Sequence, residues 1–359
     1  MSRRAVRRWW APAPWVASCA SGWRARVELT VAVVGPSSLI GEEILELLAV
    51  RQFPARAIRP LGSLRTAGRE VEIAGRGEKI ELLGPGAFDG VDIAFFAAGP
   101  TVSGEHTEAA TGAGATVIDV TSRFRLDPEV PLVVAEVNAG AIDERRVRNI
   151  IASPSGTALA LAVVLAPLAA AAGLRRVVAS TYQGAAGGGR RTLKRLSHET
   201  IELLSARGAR VGQQGMRPLS FNCVPEVGSL LPGGATAHEL QVVEETRKVL
   251  AEPDLALSVT AVRVPTFFGH ALSINLETEG PLGAARAAEI LRAAPGVLLH
   301  DDFPTPAEVI GTDSTHVGRL RDDPVVEHGV ALWIAFDSVR KGGALNALAI
   351  AEILLREYG

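Results

Sequence analysis

In the first third of the chain, apolar residues fall in short unbroken runs separated by amphipathic stretches. That pattern predicts parallel strands buried on both faces with helices packed over them. Val27 to Gly35 reads as the first such strand and Glu42 to Val50 as the helix after it. Val91 to Ala97 and Ala115 to Val120 read as two more strands, with a helix around Gly104 to Gly112 between them. The alternation is that of an α/β domain with a doubly wound sheet. A further run ends at Ile150-Ile-Ala152, where Pro154 stops the ladder and Thr157 or Ser155 could cap a helix reaching about Ala172.

Beyond that corner the pattern changes. Arg175 to Thr181 reads as a strand ending in Tyr182-Gln183, followed by a glycine-rich stretch from Gly184 to Gly189 and a helix from Arg191 to about Ala206. Val259 to Val264 is rich in β-branched residues and Ala271 to Glu277 alternates strongly. Joined by Pro265 to His270, these two suggest an antiparallel sheet. Leu332 to Phe336 looks like another strand, and Ala344 to Tyr358 a final packing helix.

Composition adds limits. With 359 residues, 47% of them hydrophobic, the chain can bury two ordinary cores. A net charge of -2 argues against nucleic acid or an anionic membrane as partner. Cys19 and Cys223 supply neither a disulfide framework nor metal-ligand spacing, so no metal is expected and a reducing cytoplasm fits. Residues 1–26, with Trp9, Trp10, Trp15 and Trp23, do not resemble the rest. They are expected to be a disordered or untranslated extension, with the effective start near Val27. No later run reaches the ~18 apolar residues of a membrane span.

The candidate chemistry lies at strand ends. Gly35-Pro-Ser-Ser-Leu-Ile-Gly41 is a turn that can bring the main chain of Ser37, Ser38, Leu39 and Ile40 and a helix N-terminus up to a pyrophosphate; an ordinary tight turn is the alternative. At the end of the second strand, a domain preferring NAD places an acid for the ribose 2′-hydroxyl. Here Ser63, Arg65 and Arg69 stand instead, which suits the 2′-phosphate of NADP. Loops at Ala98 to Ser103 and Thr121 to Arg125 fall on the ligand edge, making Arg125 a candidate for an anion. The corner after Ala152 suits a thiolate or hydroxyl nucleophile. Its tip is Gly156, which has no side chain to react.

Several stretches coincide with one family. Gly35 to Gly41, Arg65-Thr-Ala-Gly68, Phe124 to Asn138, Ser180-Thr-Tyr-Gln183, Phe221-Asn222, Glu245 to Lys248, Arg263 to His270 and Arg340 to Asn346 occur in the order found in aspartate-β-semialdehyde dehydrogenases, which the chain resembles from Val27 to Gly359. The resemblance implies conversion of aspartyl phosphate to the semialdehyde with NADPH through a cysteine thioester. It implies Gln183 as the group orienting the intermediate and His270 as general acid/base. Arg263 would be the partner of the substrate carboxylate, Arg125 with Ser122 part of the phosphate site, and Gly187 a further cofactor position. A Rossmann-type NADP-binding domain over 27–153 plus 340–359 is expected, with an α+β domain for dimerisation and substrate over 154–339 and a homodimer.

The departures cluster at the chemistry. The family's Asn-Pro-Asn-Cys corresponds to Ser153-Pro154-Ser155-Gly156, and its Glu-x-x-Lys pair falls on His238 and Gln241. In lacking the cysteine, the chain is similar to the Usg-type branch. Three readings follow: a catalytically compromised paralogue that keeps NADP binding, an oxidoreductase that acts on another small molecule through His270 without a thioester, and a non-catalytic partner protein. Cys223 as a displaced nucleophile is set aside as a packing residue.

Overall fold

Strand β1, Leu29–Val34, is buried along its whole length, as an unbroken apolar run in a parallel sheet should be. The computed structural model describes residues 29–205 and 217–358, so the expectations for residues 1–26 and Cys19 lie outside the described residues. The chain divides into two units: Met1–Ala162 with Lys248–Ala251 and Gly342–Gly359, and Val163–Arg247 with Glu252–Lys341.

In the first unit β1 leads into α1 (Leu39–Val50), which starts ahead of Glu42 because Ser38 caps it, its hydroxyl accepting the Gly41 N–H at 2.9 Å. β2 (Ala55–Gly62), the hairpin strands β3 (Glu70–Ile73) and β4 (Arg76–Lys79), β5 (Glu81–Leu82) and β6 (Ile93–Phe96) follow. α2 spans Pro100–Gly112, also starting earlier than its pattern suggests, because Pro100 suits the first turn of a helix and Gly99 takes φ 116° before it. β7 (Thr116–Asp119), the short α3 (Ala135–Asn138) and β8 (Ile150–Ala152) complete an all-parallel sheet of order β5-β2-β1-β6-β7-β8. The strand order reverses between β1 and β6, and ligands of such sheets bind outside the carboxyl ends at that point. Ile44, Leu45, Leu47 and Leu48 of α1 share one core with Val31, Val33 and Phe95 of the sheet. Leu348, Ile350 and Leu354 of the C-terminal helix, Leu345–Tyr358, complete that core, so the chain end closes the unit it began. Each such side chain contributes about 1.5–3 kcal/mol of burial.

α4 (Gly156–Ala172) leads into the second unit, which is built on β9 (Leu174–Gln183). α5 (Gly189–Leu204) and α6 (Ala237–Leu250) precede β10 (Ala256–Arg263) and β11 (His270–Thr278). α7 (Ala284–Arg292), β12 (Val297–Leu299), β13 (Thr315–Asp322) and β14 (Gly329–Phe336) finish it. The sheet order is β10-β9-β11-β14-β13-β12. The antiparallel pairing expected of Val259–Val264 with Ala271–Glu277 does not occur: β9 lies between β10 and β11, parallel to the first and antiparallel to the second. The helices between β9 and β10 return the chain to the starting end of the sheet, as a parallel crossover requires, so the sheet is mixed. Among the described residues no helix is long and apolar enough to cross a membrane.

Candidate functional site

The turn after β1 is shaped by glycine for steric reasons. Gly35 has φ 86°, and a Cβ there would lie 2.7 Å from Ala98 Cα. One on Gly41 would lie 2.1 Å from the Gly35 carbonyl oxygen. No larger residue fits either position without moving the main chain. The Ser38 N–H closes the turn onto the Gly35 carbonyl at 3.0 Å. With its hydroxyl engaged in the cap, Ser38 offers a ligand its place at the helix N-terminus, beside Ser37, Leu39 and Ile40. Gly343 lies against Ile40, where an added Cβ would come within 3.1 Å of the side chain. After β2 the Ser63 carbonyl accepts the N–H groups of Thr66 and Ala67, a tight turn that leaves Ser63 and Arg65 exposed at the same sheet edge. This geometry fits a dinucleotide: a helix N-terminus for the pyrophosphate and a guanidinium, not an acid, beyond β2.

The second corner lies between β8 and α4. Ser155 Oγ accepts the Ala158 N–H at 3.4 Å, so of the two candidate caps Ser155 has the cap geometry. Gly156 is the first residue of the helix. Ser153 is fully buried and held from several sides: its N–H donates to the Asp119 carbonyl, its hydroxyl accepts from Asn346 Nδ2 at 2.8 Å, and its carbonyl accepts from Arg125 Nε at 2.9 Å. Arg125 Nη2 also donates to the Val120 carbonyl at 2.7 Å. The expected anion ligand therefore braces the main chain with two of its nitrogens, while Ser122 in the same loop is exposed. Lys248 Nζ donates to the carbonyls of Arg125, Asp127 and Val130, and burial lowers its pKa. Asp119, at the end of β7, accepts from Thr121 and Ser103, and burial raises its pKa.

In the second unit, register brings the remaining candidates together. Gln183, the last residue of β9, has Arg263 of β10 as its partner on one side and His270 of β11 on the other. Residues in one row of a sheet share a face, so the three side chains project together. All are buried. Arg263 Nη1 donates to the Gly184 carbonyl at 2.6 Å, and burial lowers its pKa to about 10. His270 packs edge-on to Phe336, with ring centroids 5.6 Å apart, and its Nδ1 is buried without a hydrogen-bond partner. Burial pushes its pKa down to about 3; the Gly269 backbone works against this, and Arg263 and His238 add to it. Gly187 lies directly against the row: a Cβ there would be 2.6 Å from His270 Nε2 and 3.1 Å from Arg263 Nη1.

Residues that sequence reasoning left without a role also take part. His238 Nε2 lies 3.0 Å from Gln183 Nε2, which reaches Thr181 Oγ1 at 3.2 Å as well. Gln241 donates to the buried Glu245. Asn346 is buried and Lys248 half-buried, and their place within the family-like stretches Arg340 to Asn346 and Glu245 to Lys248 was the available signal. Cys223 is exposed, which corrects its reading as a packing residue: its neighbour Val224 faces inward and exchanges both main-chain hydrogen bonds with Arg263. Among the described residues no group of His, Cys, Asp and Glu side chains has a metal-binding arrangement.

Comparison with known proteins agrees with this architecture. Residues 30–145 match the domain described as semialdehyde dehydrogenase, NAD binding domain, and residues 165–341 the semialdehyde dehydrogenase, dimerisation domain. An aspartate-semialdehyde dehydrogenase of a Shewanella species is 39% identical over 92% of this chain and 99% of its own length. Aspartate-semialdehyde dehydrogenase 2 of Vibrio cholerae is 37% identical over 92% of this chain and 99% of its own length. The crystal structure of aspartate semialdehyde dehydrogenase II from Vibrio cholerae aligns with a TM-score of 0.90 at 37% identity, covering 93% of this chain and 100% of that one. With both domains matched in order and nearly the whole length shared, the chain belongs to the aspartate-semialdehyde dehydrogenase family.

Proposed function

We propose that this chain is a catalytically compromised member of its family that binds NADP(H) at the Gly35–Gly41 turn and dimerises through its second unit. The observation that carries the reading is Gly156 at the first position of α4, where a nucleophile would stand at a helix N-terminus. A thioester cannot form at glycine, and the neighbouring Ser155 hydroxyl is held by the cap. NADPH, when bound, supplies the hydride of the family reaction. The chain's own part is then to bind it through the N-terminus of α1, with Arg65 meeting the 2′-phosphate and Ser63 beside it. Arg263 binds a carboxylate, Gln183 orients the acyl group, and Arg125 with Ser122 flanks the Gly156 corner. The half-exposed sheet face that carries Tyr182 and Trp333, 5.5 Å apart, supports the second unit as the dimer surface.

A titration of the full chain with NADPH and NADH tests the cofactor assignment. NADPH should bind more tightly, and Arg65→Ala should weaken NADPH about tenfold or more while leaving NADH nearly unchanged. Turnover of aspartate semialdehyde with phosphate and NADP at an ordinary enzymatic rate, on the order of 10 per second, would overturn the compromised reading. Gly156→Cys should raise whatever turnover is present.

One observation favours a second reading, an oxidoreductase acting on another substrate without a covalent step. A buried guanidinium and a buried imidazole, with Arg263 Nη1 and His270 Nε2 both facing Gly187, would not be needed by an inert scaffold. In this reading His270 stays neutral and meets the substrate through a hydrogen bond at its ring nitrogen. His270→Gln should then abolish any activity found, and an unchanged rate in that variant would dismiss it.

A further inference from the structure

We propose that the Arg263–Gln183–His270 row, with His238 above it, selects a carboxylate ligand that carries no ammonium group: a short dicarboxylate or its semialdehyde, in place of an amino acid. The proposal rests on the reading of Arg263 and His270 as ligand-facing groups, and it is independent of dinucleotide binding.

Arg263 comes first. Its guanidinium is buried, its Nη1 donates to the neutral Gly184 carbonyl, and among the described residues no carboxylate pairs with it. A buried cation without a counterion is destabilising, so the position is set for an anion from outside the fold. Gly187, which is exposed, lies against both groups: a Cβ there would be 3.1 Å from Arg263 Nη1 and 2.6 Å from His270 Nε2, so the outer side of this point is main chain and not a side chain.

The charges around that point exclude an ammonium. Arg263 is a cation whose Nη1 lies beside His270 Nε2 at Gly187, and it opposes protonation of His270. His238 meets the Gln183 amide through Nε2, so the neutral ring accepts there and carries its hydrogen on Nδ1, a donor and not an acceptor for an ammonium. The nearby carboxylates of α6 are engaged elsewhere. Glu239 accepts the main-chain N–H groups of Thr236 and Ala261, and Glu245 is fully buried with Gln241 on it. An α-ammonium placed in this row would meet repulsion, whereas a second carboxylate would not.

Succinate and L-aspartate differ by that one group, and calorimetric titration of the full chain with each tests the proposal. Succinate should bind roughly tenfold or more tightly than L-aspartate. His238→Glu should reverse the order, and Arg263→Gln should lose both ligands. His238→Gln, which is neutral and close in size, should narrow the ratio and serves if the glutamate variant does not fold, as judged by its thermal midpoint. L-Aspartate binding as tightly as succinate, no succinate binding by the unaltered chain, or an unchanged ratio in both His238 variants would overturn the proposal. NADPH titration of the same samples separates the two claims: loss of NADPH binding with the succinate preference intact would remove the cofactor assignment alone.

Discussion

Two corners of the same parallel sheet have the same plan and hold glycine for different reasons. After β1 and after β8 the chain turns from strand into helix with a serine as cap, Ser38 in one case and Ser155 in the other. At the first corner Gly35 has positive φ, and both Gly35 and Gly41 sit where a Cβ would strike the main chain. Gly156 instead begins a helix, where φ and ψ are those any residue adopts. The first corner keeps glycine because its geometry demands it. At the second, the helical backbone makes no such demand on φ. The corner has nonetheless been kept in shape, as the buried bonds around Ser153 show.

The largest effect should come from removing what holds the second corner. Asn346 is buried, donates to the Val133 carbonyl and Ser153 Oγ, and accepts the Ala135 N–H. Asn346→Ala strands these groups and should destabilise the chain by about 3 kcal/mol or more, read by urea unfolding. A cost below about 1 kcal/mol would mean that this corner is not structurally maintained. Next is the glycine contrast itself. Gly41→Ala should be destabilising by about 1–3 kcal/mol and abolish NADPH binding, because the added methyl group meets main-chain oxygen.

His270 provides a comparison in the second unit, where burial acts on a titrating group. Its folded pKa of about 3 lies below the ordinary histidine value, so the unfolded chain takes up a proton first as pH falls. The stability this neutral histidine contributes is complete above about pH 6.5 and is lost as pH falls from there towards 3. Between pH 6.5 and 5 the loss should be about 2 kcal/mol. Urea unfolding at both pH values, in the unaltered chain and in His270→Gln, should show that share of the acid loss disappearing in the variant. The smallest effect should be Gly156→Ala, within about 1 kcal/mol and with the sign set by helix propensity in favour of alanine. If Gly156→Ala were as damaging as Gly41→Ala, the distinction between the corners would fail.

What could be read in the sequence followed the range of the forces involved. Apolar runs mark buried strands because both faces of a parallel strand meet helices, and the strands of the first unit stand close to where the runs put them. The tight turn from Gly35 to Gly41 was legible because its sterics are local to a few residues. The pairing of β10 and β11 was misread: a short link between two strand-like segments suggests a hairpin, but the place between them was taken by β9, which precedes both by many residues. The Arg263–Gln183–His270 row was accessible only through resemblance, since no local pattern shows that three strand ends will share a register. His238 was legible as a departure from the family pattern and not as a partner of Gln183, 55 positions away. The bracing role of Arg125 and the Asn346 bonds to Ser153 were hidden for the same reason.

By itself the sequence determined the α/β character of the first unit, the place of its glycine turn after β1, the basic residues after β2 and the glycine at 156. All are properties of single residues or of periodicity along a few turns, where backbone sterics and burial act locally. Tertiary structure alone decided that β9 would stand between β10 and β11, that Arg263 and His270 would meet over Gly187, and that a histidine would occupy the polar contact beside Gln183. Those arrangements depend on which strands pair, and strand pairing is settled by packing the whole sheet against its helices, a balance that no single stretch of sequence contains.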